Sequence, residues 1–307
     1  MKNVSSKPDS LRRAVAGAVL RLPADCIPLL AERRTDKGDA LAAARIAGIM
    51  AGKRTCDIIP LCHPLPIHEL DVVFDLGADT VTITAHAETI APTGVEMEAL
   101  TAATVAGLTL YDMLKPHAGT NLELGSVRLH EKRGGKSHYR RNIDTPARAA
   151  VLVLSDRVSA GPILGLAGEL VRARLVNAGI EVAAKEVLPD EPAQITARAQ
   201  HWLDAGVDLL ISVGGTGVDA RDNARAALQP LLERELPGLL ETARAFGQRR
   251  MPYAMLSNGI AGMAGETLIV TFPGSRGGAS EFLDALLPGL IHAIEVRKKG
   301  SRASHDH

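Results

Sequence analysis

Ala149 to Leu154 is an almost unbroken apolar run, Ile180–Val187 followed by Ile195–Ala205 repeats the strand-helix order, and Val207–Val213 and Thr267–Phe272 read as further buried strands. A strand that is apolar on both faces has to be covered on both faces. This part of the chain is therefore predicted to form a mostly parallel sheet between helices, an α/β fold with helices over Gly168–Ala178, Ile195–Ala205 and Glu281–Val296. Residues before about 142 follow another rule. There His68–Phe74 and Val81–His86 alternate polar and apolar around Gly77-Ala78-Asp79, the pattern of an antiparallel hairpin. Asp39–Lys53 and Thr93–Leu114 read as helices, Pro116 as a stop and Leu122–Leu129 as a strand, while the chain ahead of Asp39 begins as irregular polar sequence. That order of elements predicts a compact α+β unit.

A chain of 307 residues exceeds what one core usually organises. The expected division is a first domain over 1–141, a linker over 142–147, a second domain over 148–300 and a flexible tail over 301–307. Charge and composition narrow the partners. Lys plus Arg and Asp plus Glu number 35 each, with one Trp, three Tyr and four Phe. Such a chain lacks both the broad positive field and the aromatic platforms of a nucleic-acid binder. Cys26, Cys56 and Cys62 are too few and too irregularly spaced for a disulfide framework or a thiolate zinc site. With no apolar run of membrane-span length and no signal-like start in MKNVSSKPDS, a cytoplasmic protein without a membrane partner is expected. One basic segment stands out: Lys132, Arg133, Lys136, Arg140 and Arg141 around Gly134-Gly135. It reads either as a solvated tail or as a loop that folds over an anion.

Thr93-Gly94-Val95-Glu96 has capping-box spacing, which gives Glu96 a structural task at the helix start. Glu98, Thr101, Val105, Thr109 and Asp112 then form one stripe, with Lys115 a further step along it. Glu98 and Asp112 stand about four turns, roughly 20 Å, apart. A site using both needs another element or another subunit, and a solvated helix face is the competing reading. His63, in a segment restricted by Pro60, Pro64 and Pro66, is either a positioned acid, base or phosphate donor or a structural histidine. Cys62 beside it is either a site residue or a small packing group. Lys37 and Lys115 are either phosphate-binding cations or, if desolvation lowers their pKa, proton donors.

The stretches KGDALAAARIAGIMAGKRT, IPLCHPLP, TGVEMEALTAATVAGLTLYDMLK and KRGGKS resemble, in that order, the cyclic pyranopterin monophosphate synthase family across residues 1–141. The resemblance implies conversion of the cyclised GTP-derived triphosphate 3',8-cyclo-7,8-dihydro-GTP into cyclic pyranopterin monophosphate with pyrophosphate release, on a ferredoxin-like antiparallel sheet. It also implies a homo-oligomer, a hexamer built from dimers, with sites at subunit boundaries. Carried over residue by residue, it assigns Lys115 and Asp112 the central acid/base network, with Lys37 assisting. Cys62, His63, Glu96, Glu98, Lys132 and Lys136 become substrate-binding, with His63 and the loop lysines on phosphates. The carboxylates would engage the base, orient lysines or hold magnesium. The chain departs from the family pattern at Pro92, where a basic residue is common, and at His138, where glycine is usual.

In the second half Gly214-Gly215-Thr216-Gly217 follows an apolar strand, with Arg221 and Asp222 just beyond. Glycines there permit a tight turn that turns backbone amides toward an anion; a purely structural turn is the alternative. Arg221 is placed to neutralise phosphate and Asp222 to help bind magnesium. Ser155-Asp156-Arg157, Pro189-Asp190-Glu191 and Pro273-Gly274-Ser275 also follow strands. Each alone reads as a cap or turn, but loops at the same end of a parallel sheet converge where ligands bind. LSDRVSAG, VLPDE, ISVGGTGVDARD and TFPGS resemble the molybdopterin adenylyltransferase family across about 148–297. The resemblance implies a three-layer molybdopterin-binding fold and magnesium-assisted transfer of AMP from ATP to molybdopterin. Asp190 and Asp222 would be the catalytic and Mg2+-binding carboxylates, and Ser155, the Gly214–Gly217 turn, Arg221 and Ser275 the substrate cradle. Gly165, Asn258 and Arg276 depart from the family pattern, where an acidic residue, Arg and Pro are often found. Together the two resemblances imply a bifunctional molybdenum cofactor biosynthesis protein. The alternative is an active synthase fused to a noncatalytic pterin-binding or scaffolding domain.

Overall fold

The computed structural model describes residues 1–135, 142–155 and 166–299. Lys136, His138, Arg140, Arg141, Asp156, Arg157, Gly165 and the 301–307 tail lie outside the described residues. The chain divides into two compact units, Met1–His138 and Tyr139–His307.

In the first unit the elements run β1 (Ser10–Arg21), α1 (Cys26–Ala31), α2 (Ala40–Lys53), α3 (Thr55–Ile58), β2 (Glu69–Leu76), β3 (Thr80–Ala91), α4 (Glu96–Ala118) and β4 (Glu123–Arg133). They form an antiparallel sheet in the order β2-β3-β1-β4. Strand β3 alternates as its sequence predicts, its buried positions Val81, Ile83, Ala85 and Ala87 facing the helices. Strand β1 corrects the sequence reading, which took the chain ahead of Asp39 to begin as irregular. Its core, Ala14-Val15-Ala16-Gly17-Ala18, carries the small residues that usually argue against a strand. They serve here because α4 brings Ala99, Ala102, Ala103 and Ala106 down onto the same layer, so the helix backbone approaches the sheet closely.

Two further expectations for α4 are corrected. Its N-cap is Val95, without any side-chain cap, and Glu96 is the first helical residue, so the Thr93 capping box does not form. Val95 is buried in the cluster with Ala14, Ala16 and Ala99, and that anchoring sets where the helix begins. The helix also runs through Pro116 to Ala118 instead of stopping before it. Proline in a last turn costs a single backbone bond, because few residues follow it.

The second unit contains β5 (Arg148–Leu154), α5 (Leu166–Asn177), β6 (Glu181–Leu188), α6 (Pro192–Asp204), β7 (Leu209–Val213), α7 (Ala224–Leu228), β8 (Arg234–Glu235), α8 (Pro237–Gln248), β9 (Ala261–Ala264), β10 (Thr267–Phe272) and α9 (Arg276–Lys299). The sheet order is β6-β5-β7-β10-β9-β8, parallel from β6 to β10 and antiparallel at β9 and β8. Every residue of β7 and β10 is buried. One core packs Val151, Ile211, Val270 and Phe272 against α5, α8 and α9; the other packs Leu152, Leu210 and Ile269 against α6 and α7. The apolar runs of the sequence are thus the strands between two helical layers. The sequence reading left out α7, β8, α8 and β9, which are short or lie between Gly217 and Thr267.

The α2–α4 contact in the first unit has a testable tolerance. A Cβ on Gly48 would stand 2.8 Å from the Ala102 carbonyl oxygen and 3.1 Å from Ala106 Cβ. Helix propensity alone favours alanine over glycine by about 1 kcal/mol, but overpacking against a backbone costs about 1–3 kcal/mol. Gly48→Ala is therefore expected to lower urea stability by about 1 kcal/mol; a rise in the unfolding midpoint would show that α2 and α4 do not meet this closely.

Candidate functional site

In the first unit Lys37 is presented by a tight turn. Thr35 Oγ1 donates to the Gly38 carbonyl at 2.6 Å, and Gly38 adopts φ +97°, a conformation natural to glycine. From there the Lys37 ammonium reaches α4, where it donates to Asp112 Oδ2 at 2.7 Å and to the Asp112 carbonyl oxygen at 3.1 Å. Lys115 Nζ meets the other carboxylate oxygen at 2.7 Å. Asp112 is thus a bridge between two cations that sequence spacing alone could not join. The hydrogen bond from Lys115, then that from Lys37, hold its carboxyl down from 3.8 to about 2. Asp112 in turn raises the Lys115 pKa. The possibility that desolvation lowers this lysine's pKa is corrected here: Lys115 is exposed, and the carboxylate beside it outweighs the small desolvation effect. The ammonium is therefore held charged.

A second group gathers at the other end of α4. Glu98 is 5% exposed, and burial pushes its carboxyl pKa up, with the Glu96 charge adding to the rise. Burial also raises the Cys62 thiol, helped by Glu98 and Cys56, so this thiol is kept protonated. Glu96 faces Lys132 Nζ at 3.6 Å and folds back over Gly94, where a Cβ would overlap its carboxylate. His63 Nε2 lies 2.8 Å from the Lys2 carbonyl oxygen; since that oxygen only accepts, Nε2 carries a proton. Within one protomer the structure therefore brings Lys37, Asp112 and Lys115 together at one end of α4. It places Glu96, Glu98, Cys62 and Lys132 at the other, about 20 Å along the helix.

Sequence reasoning passed over Arg12 and His117. The Arg12 guanidinium donates to the carbonyls of Ala91 and Pro92 at 3.3 and 3.4 Å, and a Cβ at Gly135 would collide with it. A cation thus stands beside Pro92 and the Gly134-Gly135 turn. Its signal was lost because β1 was not recognised as a strand. His117 Nε2 lies 3.6 Å from Asp36 Oδ2, next to the lysine bridge.

In the second unit the strand-end loops converge on one cavity of about 860 Å³. Ser155, Asp190, Gly214, Gly215, Thr216, Gly217, Arg221, Asp222 and Ser275 all line it. Asp190 Oδ1 accepts from the Asn223 amide at 3.2 Å, and Asp222 Oδ2 from the Asp219 amide at 2.9 Å. Both carboxylates press on the turn: a Cβ at Gly215 would stand 2.8 Å from Asp190, and one at Gly217 2.6 Å from Asp222. Gly214, at φ +108°, gives its amide to the Phe272 carbonyl at 2.9 Å, so its part in the turn is conformational and not that of an anion donor. Arg221 pairs with Asp219 at 3.1 Å. Ser275 Oγ accepts from the Gly278 amide at 3.1 Å and so caps α9 while lining the cavity. Asn258 fixes the turn through its amide to the Thr216 carbonyl at 2.7 Å, and its side-chain oxygen accepts from Arg225 at 3.2 Å.

Much of the apolar lining was not assigned to a site in the sequence. Val218, Met251, Tyr253 and Leu256 border the cavity with large exposed apolar groups, and Glu281, whose carboxyl burial pushes up, adds an acid. The 251–256 stretch has no helical or strand period, so nothing in the pattern marked it. Among the described residues no group of three or more His, Cys, Asp and Glu side chains could hold a metal by itself. Asp190 and Asp222 nevertheless fit magnesium, which is commonly held by one or two carboxylates together with substrate phosphates.

Residues 1–135 match the MoaC family, and residues 150–292 match a family described as a probable molybdopterin binding domain. The molybdenum cofactor biosynthesis bifunctional protein of Chlorobaculum tepidum is 41% identical over 304 residues, which cover 99% of this chain and 96% of that protein. Its namesake in Synechococcus elongatus is 34% identical over 311 residues, covering 97% of each. The cyclic pyranopterin monophosphate synthase of Thermomicrobium roseum is 47% identical over 152 residues, covering 49% of this chain and 91% of that one. No described helix is long and apolar enough to cross a membrane. With likeness running the length of both halves, the chain belongs to the molybdenum cofactor biosynthesis bifunctional protein family.

Proposed function

We propose that the chain catalyses two separate reactions of molybdenum cofactor biosynthesis in the cytoplasm. The first unit converts 3',8-cyclo-7,8-dihydro-GTP into cyclic pyranopterin monophosphate and pyrophosphate. The observation that carries this reading is the Lys37–Asp112–Lys115 bridge, two ammonium groups held on one carboxylate at 2.7 Å each. Lys115 donates a proton to the reacting pterin and Asp112 keeps it charged and aimed. Lys132, paired with Glu96, and the Arg12 guanidinium beside Pro92 are cations that this unit offers to triphosphate oxygens. The groups at the two ends of α4 are too far apart to act on one small molecule within a protomer. That separation supports a homo-oligomer, a hexamer by family resemblance, in which neighbours complete each other's sites.

The second unit transfers AMP from ATP to the terminal phosphate of molybdopterin and releases pyrophosphate. The shared cavity of Ser155, Asp190, the Gly214–Gly217 turn, Asp222 and Ser275 supports this reading. Asp190 and Asp222 would hold magnesium, which neutralises the phosphates. The acceptor phosphate is the nucleophile, so the protein orients charge instead of forming a covalent intermediate. Met251 and Tyr253 offer an apolar wall for a flat ring.

Separate assays of the full chain divide the possibilities. Lys115→Ala is expected to cut pyranopterin formation by at least about 100-fold while sparing AMP transfer, and Asp222→Asn to do the reverse. Absence of pyranopterin product in the unaltered protein would sink the first assignment. Molybdopterin binding without magnesium-dependent AMP transfer would replace the second with a binding or scaffolding role. Loss of both activities from one substitution would point to assembly and not to separate sites.

The bridge also sets a pH window. The carboxyl of Asp112 falls from 3.8 to about 2 in the fold. Its pairing therefore contributes fully above the unfolded value and is lost as pH falls through the folded one. Carboxyl-labelled NMR between pH 7 and pH 3 should show no titration of Asp112, whereas the Lys37→Ala, Lys115→Ala double variant should titrate near about 4. A midpoint near 4 in the unaltered chain would mean that the bridge does not form.

A further inference from the structure

Pro116 stands inside α4, one residue beyond Lys115 and four beyond Asp112. In an uninterrupted helix the amide of residue 116 would donate to the carbonyl of residue 112. Proline has no amide hydrogen, and its ring crowds that same carbonyl. The Asp112 carbonyl consequently lacks its usual helical partner. In its place it accepts from Lys37 Nζ at 3.1 Å, while the carboxylate of the same residue accepts from the same nitrogen at 2.7 Å. Below this point the helix holds: Gly119 donates to the Lys115 carbonyl at 3.0 Å. The gap in the ladder falls at the carbonyl that faces the lysine turn.

We propose that Pro116 is a positioning residue: by withholding the helix's own donor from the Asp112 carbonyl, it gives Lys37 a two-point seat on Asp112. The proposal rests on the reading of Lys37, Asp112 and Lys115 as the reaction centre of the first unit. A side-chain ion pair alone leaves a long lysine free to swing about one oxygen. Two acceptors on one residue fix the nitrogen in place. An ammonium has three donors, so with two directed at Asp112 the third points away from it, toward whatever enters the site. Asp112 then serves both lysines at once, Lys115 through Oδ1 and Lys37 through Oδ2 and the backbone.

The test is Pro116→Ala in the full chain, which restores an amide donor to the helix. The same position carrying lactic acid, introduced as an α-hydroxy acid, has neither amide hydrogen nor ring. Three quantities are measured: urea stability, the acetylation rate of Lys37 under trace acetic anhydride relative to exposed Lys53, and kcat and KM for pyranopterin formation. Pro116→Ala is expected to be at least as stable as the unaltered chain, because the helix gains a bond. Its Lys37 should label several-fold faster, and kcat should fall about tenfold with KM within about twofold. The lactic acid variant should recover both slow labelling and kcat. Unchanged labelling in Pro116→Ala would overturn the proposal. So would a kcat loss that tracks lost stability and is not recovered by lactic acid, since that marks a merely structural proline. If the unaltered chain makes no pyranopterin product, the functional reading fails by itself, and the labelling comparison still decides whether Pro116 seats Lys37.

Discussion

At the helix that bears the lysine bridge and at the glycine turn of the second unit, backbone comes close to backbone with almost no side chain between. In the first unit the alanines of α4 lie on the alanines of β1, and Gly48 and Gly52 of α2 leave room for the α4 backbone. In the second, Gly214 lies so near Leu154 that a Cβ would stand 2.3 Å from the Leu154 carbonyl oxygen. Close approach of this kind has low tolerance for added volume. It holds α4 and the glycine turn in place, and the lysine bridge and the two carboxylates inherit their positions from these two elements.

The two sites use charge in opposite surroundings. Asp112 and its lysines are exposed, and hydrogen bonding, not burial, moves the Asp112 carboxyl down and the Lys115 ammonium up. Glu98, at the far end of the same helix, is governed by burial. One helix therefore carries a carboxyl whose pKa hydrogen bonds lower and another whose pKa burial raises. In the second unit the two carboxylates are each steadied by a backbone amide. Their orientation is built into the loops before any ligand arrives.

Much of this was legible in the sequence where side-chain pattern and burial coincide. The runs that became β5, β7 and β10 are apolar because both faces are covered, and β3 alternates because one face is. The convergence of Ser155, Asp190, Gly214 and Ser275 followed from strand ends alone. Where small residues carry the packing, the pattern fell silent. The alanine-rich core of β1 offers neither β-branching nor alternation, and missing that strand hid Arg12 as well. Thr93 and Glu96 have the spacing of a cap, yet the burial of Val95 starts the helix later, a tertiary contact that spacing does not encode. Pro116 read as a stop because proline usually ends helices, but a last turn loses only one bond to it. The 251–256 wall of the cavity has no period at all and was visible only in three dimensions.

Strand β1 lies between β3 and β4, with Arg13 opposite both Glu88 and Arg133. The earliest strand to be synthesised is thus the last to gain both neighbours. Until the chain has extended past Arg133 the four-stranded sheet is incomplete, and both strand pairings of β1 span long stretches of sequence. The first unit is therefore expected to fold in a single late step, in which the lysine turn, α4 and the sheet are installed together. By then translation has already reached the threshold of the second unit.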